Sequence, residues 1–198
     1  MGVPRFHDAV SLRHFAVVDR LDICESEHGH LPPPRWCAEV ETEIRGAVRH
    51  EPSCNRVLAA TWLGAPVEPA PNELVDVYEI QVGLNDGRRP PGDDAGEAES
   101  IFFAEKLGGT FLTDDNAAFD FAQRRLGAGR VVDSVYVLQT ATANGTLTSR
   151  EAADLRTLSS PRIAISGDVT SRRSRPATSD LRLAGRYQRT WHHGDVIR

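Results

Sequence analysis

Lysine is almost missing from this chain. Of its 23 basic residues only Lys106 is not an arginine, so chemistry that needs a lysine later than residue 106 is excluded. The arginine bias fits a GC-rich coding sequence, and little chemistry is read into any single arginine. Cysteine is scarce as well. Cys24, Cys37 and Cys54 form no CxxC pair, and an odd, widely spaced set argues against a disulfide framework or a zinc knuckle. No apolar run approaches the ~20 residues needed to span a bilayer. Met1 to Val10 lacks the basic start and apolar stretch of a signal peptide. A soluble, cytoplasmic protein with no membrane partner is expected. No internal repeat is present, which excludes a solenoid or propeller.

What is present is ordinary globular material: 198 residues, 40% apolar and 26% charged, enough to bury a core without covalent staples. The net charge of −5 is unevenly spread. From Ser166 to Arg198 seven arginines face Asp168, Asp180 and Asp195, giving +4 and leaving −9 for residues 1–165. Apolar periodicity fades after Ser160, where Ser, Arg and Thr dominate. The expected organisation is one domain over 1–160 and a basic, Ser/Arg-rich extension over 161–198.

Within the domain, Arg5 to Val10 reads as a short strand ending at Asp8, and Ser11–Leu21 as a helix. Pro32-Pro33-Pro34 is a breaker. Trp36–Val48 reads as a helix with Glu43 at the edge of its apolar stripe, Val57–Leu63 as a strand, and Asn72–Leu84 as a helix. A loop covers 85–95. Glu97–Leu107 is a helix ended by Gly108-Gly109, Thr110–Thr113 a buried strand, Asp115–Leu126 a helix and Val131-Val132 a brief strand. Ser134–Ala143 and Ser149–Leu158 are two last helices. Alternating strands and helices indicate an α/β fold with a mostly parallel sheet. Ligands of such sheets bind beyond the carboxyl ends of the strands, where Asp8 and Asp115 fall.

Four separated segments each offer a carboxylate: Asp8, Glu43, Glu97 within Gly96-Glu97-Ala98-Glu99-Ser100, and Asp114-Asp115 within Leu112-Thr113-Asp114-Asp115. A pocket that collects carboxylates holds magnesium or manganese. Each acid also has a plainer reading. Asp8 and Asp115 are natural helix N-caps, Glu97 at a helix start suits the macrodipole, and Glu43 reads equally as a surface glutamate. Only the set, on segments that an α/β fold draws together, points to a metal.

The order and spacing of these pieces resemble the PIN-domain nucleases, in the bacterial VapC-like toxin branch. The pieces are Phe6-His7-Asp8-Ala9-Val10-Ser11-Leu12, Ala38-Glu39-Val40-Glu41-Thr42-Glu43-Ile44, the Gly96 and Leu112 motifs above, Val132-Asp133-Ser134-Val135-Tyr136-Val137-Leu138, and Ala143-Asn144-Gly145-Thr146-Leu147-Thr148. The resemblance covers about residues 5–158. It implies a three-layer α/β/α sandwich and metal-dependent hydrolysis of RNA phosphodiester bonds. It places Asp8, Glu43, Glu97 and Asp115 in catalysis and in binding Mg2+ or Mn2+, with Asp114 and Asp133 as further metal acids. Arg124 and Arg125 are read as phosphate contacts, and Arg172, Arg173 and Arg175 as a nonspecific grip on RNA. Trp191-His192-His193 is read as incidental. An antitoxin and a second copy of the chain are the protein partners implied. Relatives often carry a small hydroxyl or amide residue where Val10 stands.

Three other readings stand beside this one. A receiver-like phosphoacceptor domain shares an acidic pocket, but its paired acids follow the first strand and it needs a late lysine. A PIN-like module that has lost catalysis and binds or regulates is permitted by Val10. In the third, an α/β domain holds acids that merely coincide and lie far apart.

Overall fold

Three short strands set the frame: β1 (Arg5–His7), β2 (Thr110–Leu112) and β3 (Val131–Val132). All pairing is parallel, in the order β1-β2-β3, with Phe6 opposite Phe111 and Phe111 opposite Val131. The computed structural model describes residues 3–27, 35–85 and 94–159. The chain divides into two units, Met1–Pro161 and Arg162–Arg198. The second lies outside the described residues, and so do Arg172, Arg173, Arg175 and Trp191-His192-His193. Pro32-Pro33-Pro34 and residues 86–93 of the expected 85–95 loop lie outside them too.

Side chains alternate across these strands, as extended chain requires. Phe6, Phe111 and Val131 enter one apolar cluster with Val40, Ile44, Ile101 and Ala122. Leu112 and Val132 enter another with Phe15, Ile23, Val137, Leu138 and Leu155. Phe6 and Phe111 are fully buried, each contributing about 1.5–3 kcal/mol through the hydrophobic effect. The helices supplying these clusters are α1 (Ala9–Val17), α2 (Leu21–Glu27), α3 (Ala38–Ala47), α4 (Cys54–Leu58), α5 (Leu74–Asn85), α6 (Ala95–Lys106), α7 (Asn116–Leu126), α8 (Ser134–Ala143) and α9 (Ser149–Ser159). The α/β class and the parallel pairing expected from the sequence are observed. Among the described residues no helix is long and apolar enough to cross a membrane.

Two single bridges continue the parallel pairing beyond β1: Arg35 beside Phe6, then Val67 beside Cys37. Backbone bonds from His7 N to Arg35 O (3.0 Å) and from Val67 N to Trp36 O (3.0 Å) hold them. The chain therefore leaves β1 toward one side of the sheet and leaves β2 toward the other. That divergence makes the carboxyl ends of β1 and β2 the switch point of the sheet, where an open α/β sheet usually has its ligand crevice.

Two expected elements differ. Val57–Leu63 is not a strand. Cys54 and Val57, three apart and both buried, form the inner face of α4, and Thr61–Leu63 is a 3₁₀ turn ended by Gly64 at φ 70°. A short apolar run carries no period that separates strand from buried helix. The helix expected over Ser11–Leu21 begins two residues earlier and stops at Val17. Asp19, at φ 57°, turns the chain into α2, whose Ile23 and Cys24 are fully buried.

Candidate functional site

Asp8 follows β1 directly and is fully buried. Its extended backbone (φ −82°, ψ 169°) makes it the N-cap of α1, and its Oδ1 accepts from Ser11 N at 2.7 Å. Thr113, just past β2, donates its hydroxyl to Asp8 Oδ2 at 2.5 Å, and the same hydroxyl oxygen accepts from Asp115 N at 3.1 Å. Backbone pairing of Asp8 N with Leu112 O at 3.1 Å places the two strand exits side by side. Burial pushes the Asp8 carboxyl up to about 6. The bonds from Ser11 and Thr113 oppose this and the charge of Asp114 adds to it.

Glu43 and Glu97 come from α3 and α6. Glu43 accepts from Gly96 N at 3.2 Å. Burial of its carboxyl end, with the charges of Asp8 and Glu39, pushes it up to about 7, while the Arg13 guanidinium acts the other way. The side chain as a whole stays exposed, so water screens this shift more than the others. Glu97, partly buried in the first turn of α6, is pushed up to about 8 by burial and then by Glu43 and Asp8. The charge of Asp8 thus raises Glu43 and Glu97, and Glu43 raises Glu97 in turn; among the described residues, Arg13 is a cation that acts against this, at Glu43.

Asp114 has a different setting. Its Oδ2 lies 2.7 Å from His14 Nδ1 and accepts the Ser134 hydroxyl at 2.5 Å, and its Oδ1 accepts from Ser134 N at 2.9 Å. Burial acts to raise this carboxyl, but the bonds from His14 and Ser134 outweigh it and hold it below the usual range. Reciprocally, Asp114 lifts His14 above its ordinary value against the effect of burial. This network ties α1, the β2 exit and α8 together.

The remaining expected residues are placed as follows. Asp115 is the N-cap of α7, accepting from Ala117 N (2.7 Å) and Ala118 N (2.9 Å), and Asp133 is the N-cap of α8, accepting from Tyr136 N (2.8 Å). Asp115 stands at the crevice through Thr113; Asp133 follows β3, one strand further on. Arg124 and Arg125 are exposed in the last turn of α7, about 14 Å along the helix axis from Asp115. Arg125 pairs with Glu105 at 2.8 Å. The structure does not bring these arginines to the carboxylates. The reading of the sequence missed Thr113, His14 and Ser134. Thr113 lay inside a motif already singled out, whereas His14 is 100 residues from Asp114 and carries no local signal. It also missed Glu99, a buried acid on α6 that accepts from Glu39 N at 3.2 Å and so caps α3 from outside.

The donors are all carboxylate oxygens, the ligand class of Mg2+ and Mn2+ rather than zinc. Among the described residues no group of three or more His, Cys, Asp or Glu side chains is arranged to hold a metal ion. The fit to a divalent cation therefore lies in the donor chemistry, three carboxyls held above their ordinary range, and not in a finished coordination shell. The chain matches no family model, no curated protein and no solved structure.

Proposed function

We propose that the chain is a PIN-like, metal-dependent endoribonuclease built as a three-layer α/β/α sandwich, and that it acts in the cytoplasm as the toxin of a toxin–antitoxin pair. The observation that carries the catalytic part is the convergence of Asp8, Glu43 and Glu97: Glu43 is bonded to the start of the helix that bears Glu97, Asp8 acts on both, and all three carboxyls are held above their ordinary range. Buried carboxylates that repel one another and lack a common counter-ion are stable as anions only beside an added cation.

Asp8, Glu97 and Asp115 are the residues that would hold the cation, and Glu43 would hold it or orient the attacking water. Bound there, Mg2+ or Mn2+ supplies Lewis acidity, making a nucleophilic hydroxide near neutral pH and offsetting charge on the phosphoryl oxygens. Thr113 and Ser11 keep Asp8 in one orientation through two hydrogen bonds. Burial and neighbouring acids hold Glu97 and Glu43 above the ordinary glutamate range, so loading near neutral pH releases protons. The network of His14 and Ser134 already compensates Asp114, which accordingly orients α1 and α8 and is left out of the metal set.

The test is incubation of the full chain with a mixed RNA pool and Mn2+ or Mg2+, with EDTA and Asp115→Asn as controls. Metal-dependent cleavage, lost in a folded Asp115→Asn protein, is the expected result. Undiminished cleavage by that variant defeats the assignment of Asp115. A folded wild type that neither cleaves RNA nor binds Mn2+ defeats the enzyme and leaves a PIN-like binding or regulatory module.

A further inference from the structure

The second residue of α6 is a glycine for a reason that its own helix does not provide. Its backbone is ordinary helix, without a positive φ. Glycine within a helix is less stable than alanine there. The explanation lies on the neighbouring helix. A Cβ on Gly96 would stand 2.5 Å from Glu43 Oε1 and 3.2 Å from Val40 Cγ2. Val40 is fully buried in the main apolar cluster, and its contact asks for a shift of only a few tenths of an ångström. Glu43 is exposed and free to swing out. An alanine at position 96 would therefore relieve the overlap by displacing the Glu43 carboxylate and leaving the core in place.

The amide of Gly96 tells the same story from the other side. It lies in the first turn of α6, where N–H groups find no acceptor within the helix. Its acceptor is Glu43 Oε1 at 3.2 Å, reached from α3 across 53 residues. The bare glycine lets this carboxylate close on the helix start beside Glu97.

We infer that Gly96 is a positioning residue: by having no side chain it seats Glu43 next to Glu97, and any side chain there expels Glu43 from the cluster. The consequence for metal binding rests on the reading that Asp8, Glu43 and Glu97 hold a divalent cation; the seating of Glu43 does not.

The experiment compares full-length wild type, Gly96→Ala, Glu43→Ala and the double variant in three measurements: thermal melting, hydrogen exchange of the residue-96 amide without metal, and titration with Mn2+ alone. Gly96→Ala is expected to stay folded. Its residue-96 amide should lose protection, and its Mn2+ affinity should fall about tenfold or more. In the Glu43→Ala background the same substitution should change neither exchange nor affinity. The inference is overturned if Gly96→Ala keeps a protected amide and full affinity, if it unfolds, or if it loses as much affinity without Glu43 as with it. A wild type that takes up no Mn2+ defeats the metal reading. The seating of Glu43 by Gly96 then stands or falls on the exchange data alone.

Discussion

Asp8 and Asp114 leave neighbouring parallel strands, face one crevice and act on each other electrostatically, yet their carboxyls move in opposite directions. Both are held by hydrogen bonds. Asp8 has Ser11 N and the Thr113 hydroxyl; Asp114 has Ser134 twice and His14. The difference is one cation. His14 pairs directly with Asp114 at 2.7 Å, whereas it acts on Asp8 only through its charge and burial prevails there. Two acids of neighbouring strand exits are thus set differently by their partners: one is held up by burial, the other is already part of the scaffold.

The sharpest break of that comparison is Asp8→Asn. We expect RNA cleavage to fall about 10³-fold while the metal-free protein melts no lower at neutral pH, because the uncompensated charge is gone. A large fall in melting temperature would mean that Asp8 is chiefly structural. The opposite balance is expected at Asp114's partners. His14→Gln or Ser134→Ala should destabilise by about 1–3 kcal/mol in urea unfolding, with a smaller loss of cleavage than Asp8→Asn.

The same comparison predicts a pH dependence. Asp8, Glu43 and Glu97 keep protons in the folded state that they lose when unfolded, so the metal-free protein loses stability as pH rises from about 4 to about 8. His14, lifted by Asp114, contributes in the same direction: its stabilisation is whole below 6.5 and is lost above its folded value. Asp114 runs the other way, losing its contribution as pH falls below the usual aspartate range, and the carboxyls of Glu73 and Glu151 are lowered as well. Calorimetry in EDTA should therefore show a melting temperature highest near pH 5 and roughly 5 °C lower by pH 8. Saturating Mn2+ should flatten or reverse that slope, since it binds the ionised acids. The smallest effect is expected at Glu99. Glu99→Gln keeps an acceptor for Glu39 N and should change unfolding free energy by less than about 0.5 kcal/mol, whereas Glu99→Ala should cost about 1 kcal/mol.

Much of this frame could be read along the chain. The α3, α5, α6, α7, α8 and α9 segments lie where periodicity and caps put them, within a few residues, and Asp8 and Asp115 lie beyond the carboxyl ends of strands as the alternation of elements requires. Three local failures have physical causes. The apolar run over 57–63 lacked a period. Asp19 turns at a positive φ that an aspartate tolerates and a pattern does not announce. Asp114 and Asp115, adjacent and chemically alike, are separated by their partners: distant His14 and Ser134 for the first, the local Ala117 and Ala118 amides for the second. Gly96 is the intermediate case. Its place in the motif was visible, but its reason lies on α3.

The bond from Thr113 to Asp8 spans 105 residues, and β1 has its β2 partner only at Thr110–Leu112. A chain still emerging from the ribosome, N-terminus first, therefore exposes Asp8, and later Glu43 and Glu97, long before the strand that closes the crevice has been made. Such a nascent chain holds the acids but not the site. Whatever this crevice does begins only once synthesis has passed beyond β2, and C-terminal truncations ending before residue 110 are expected to be inert as well as unstable.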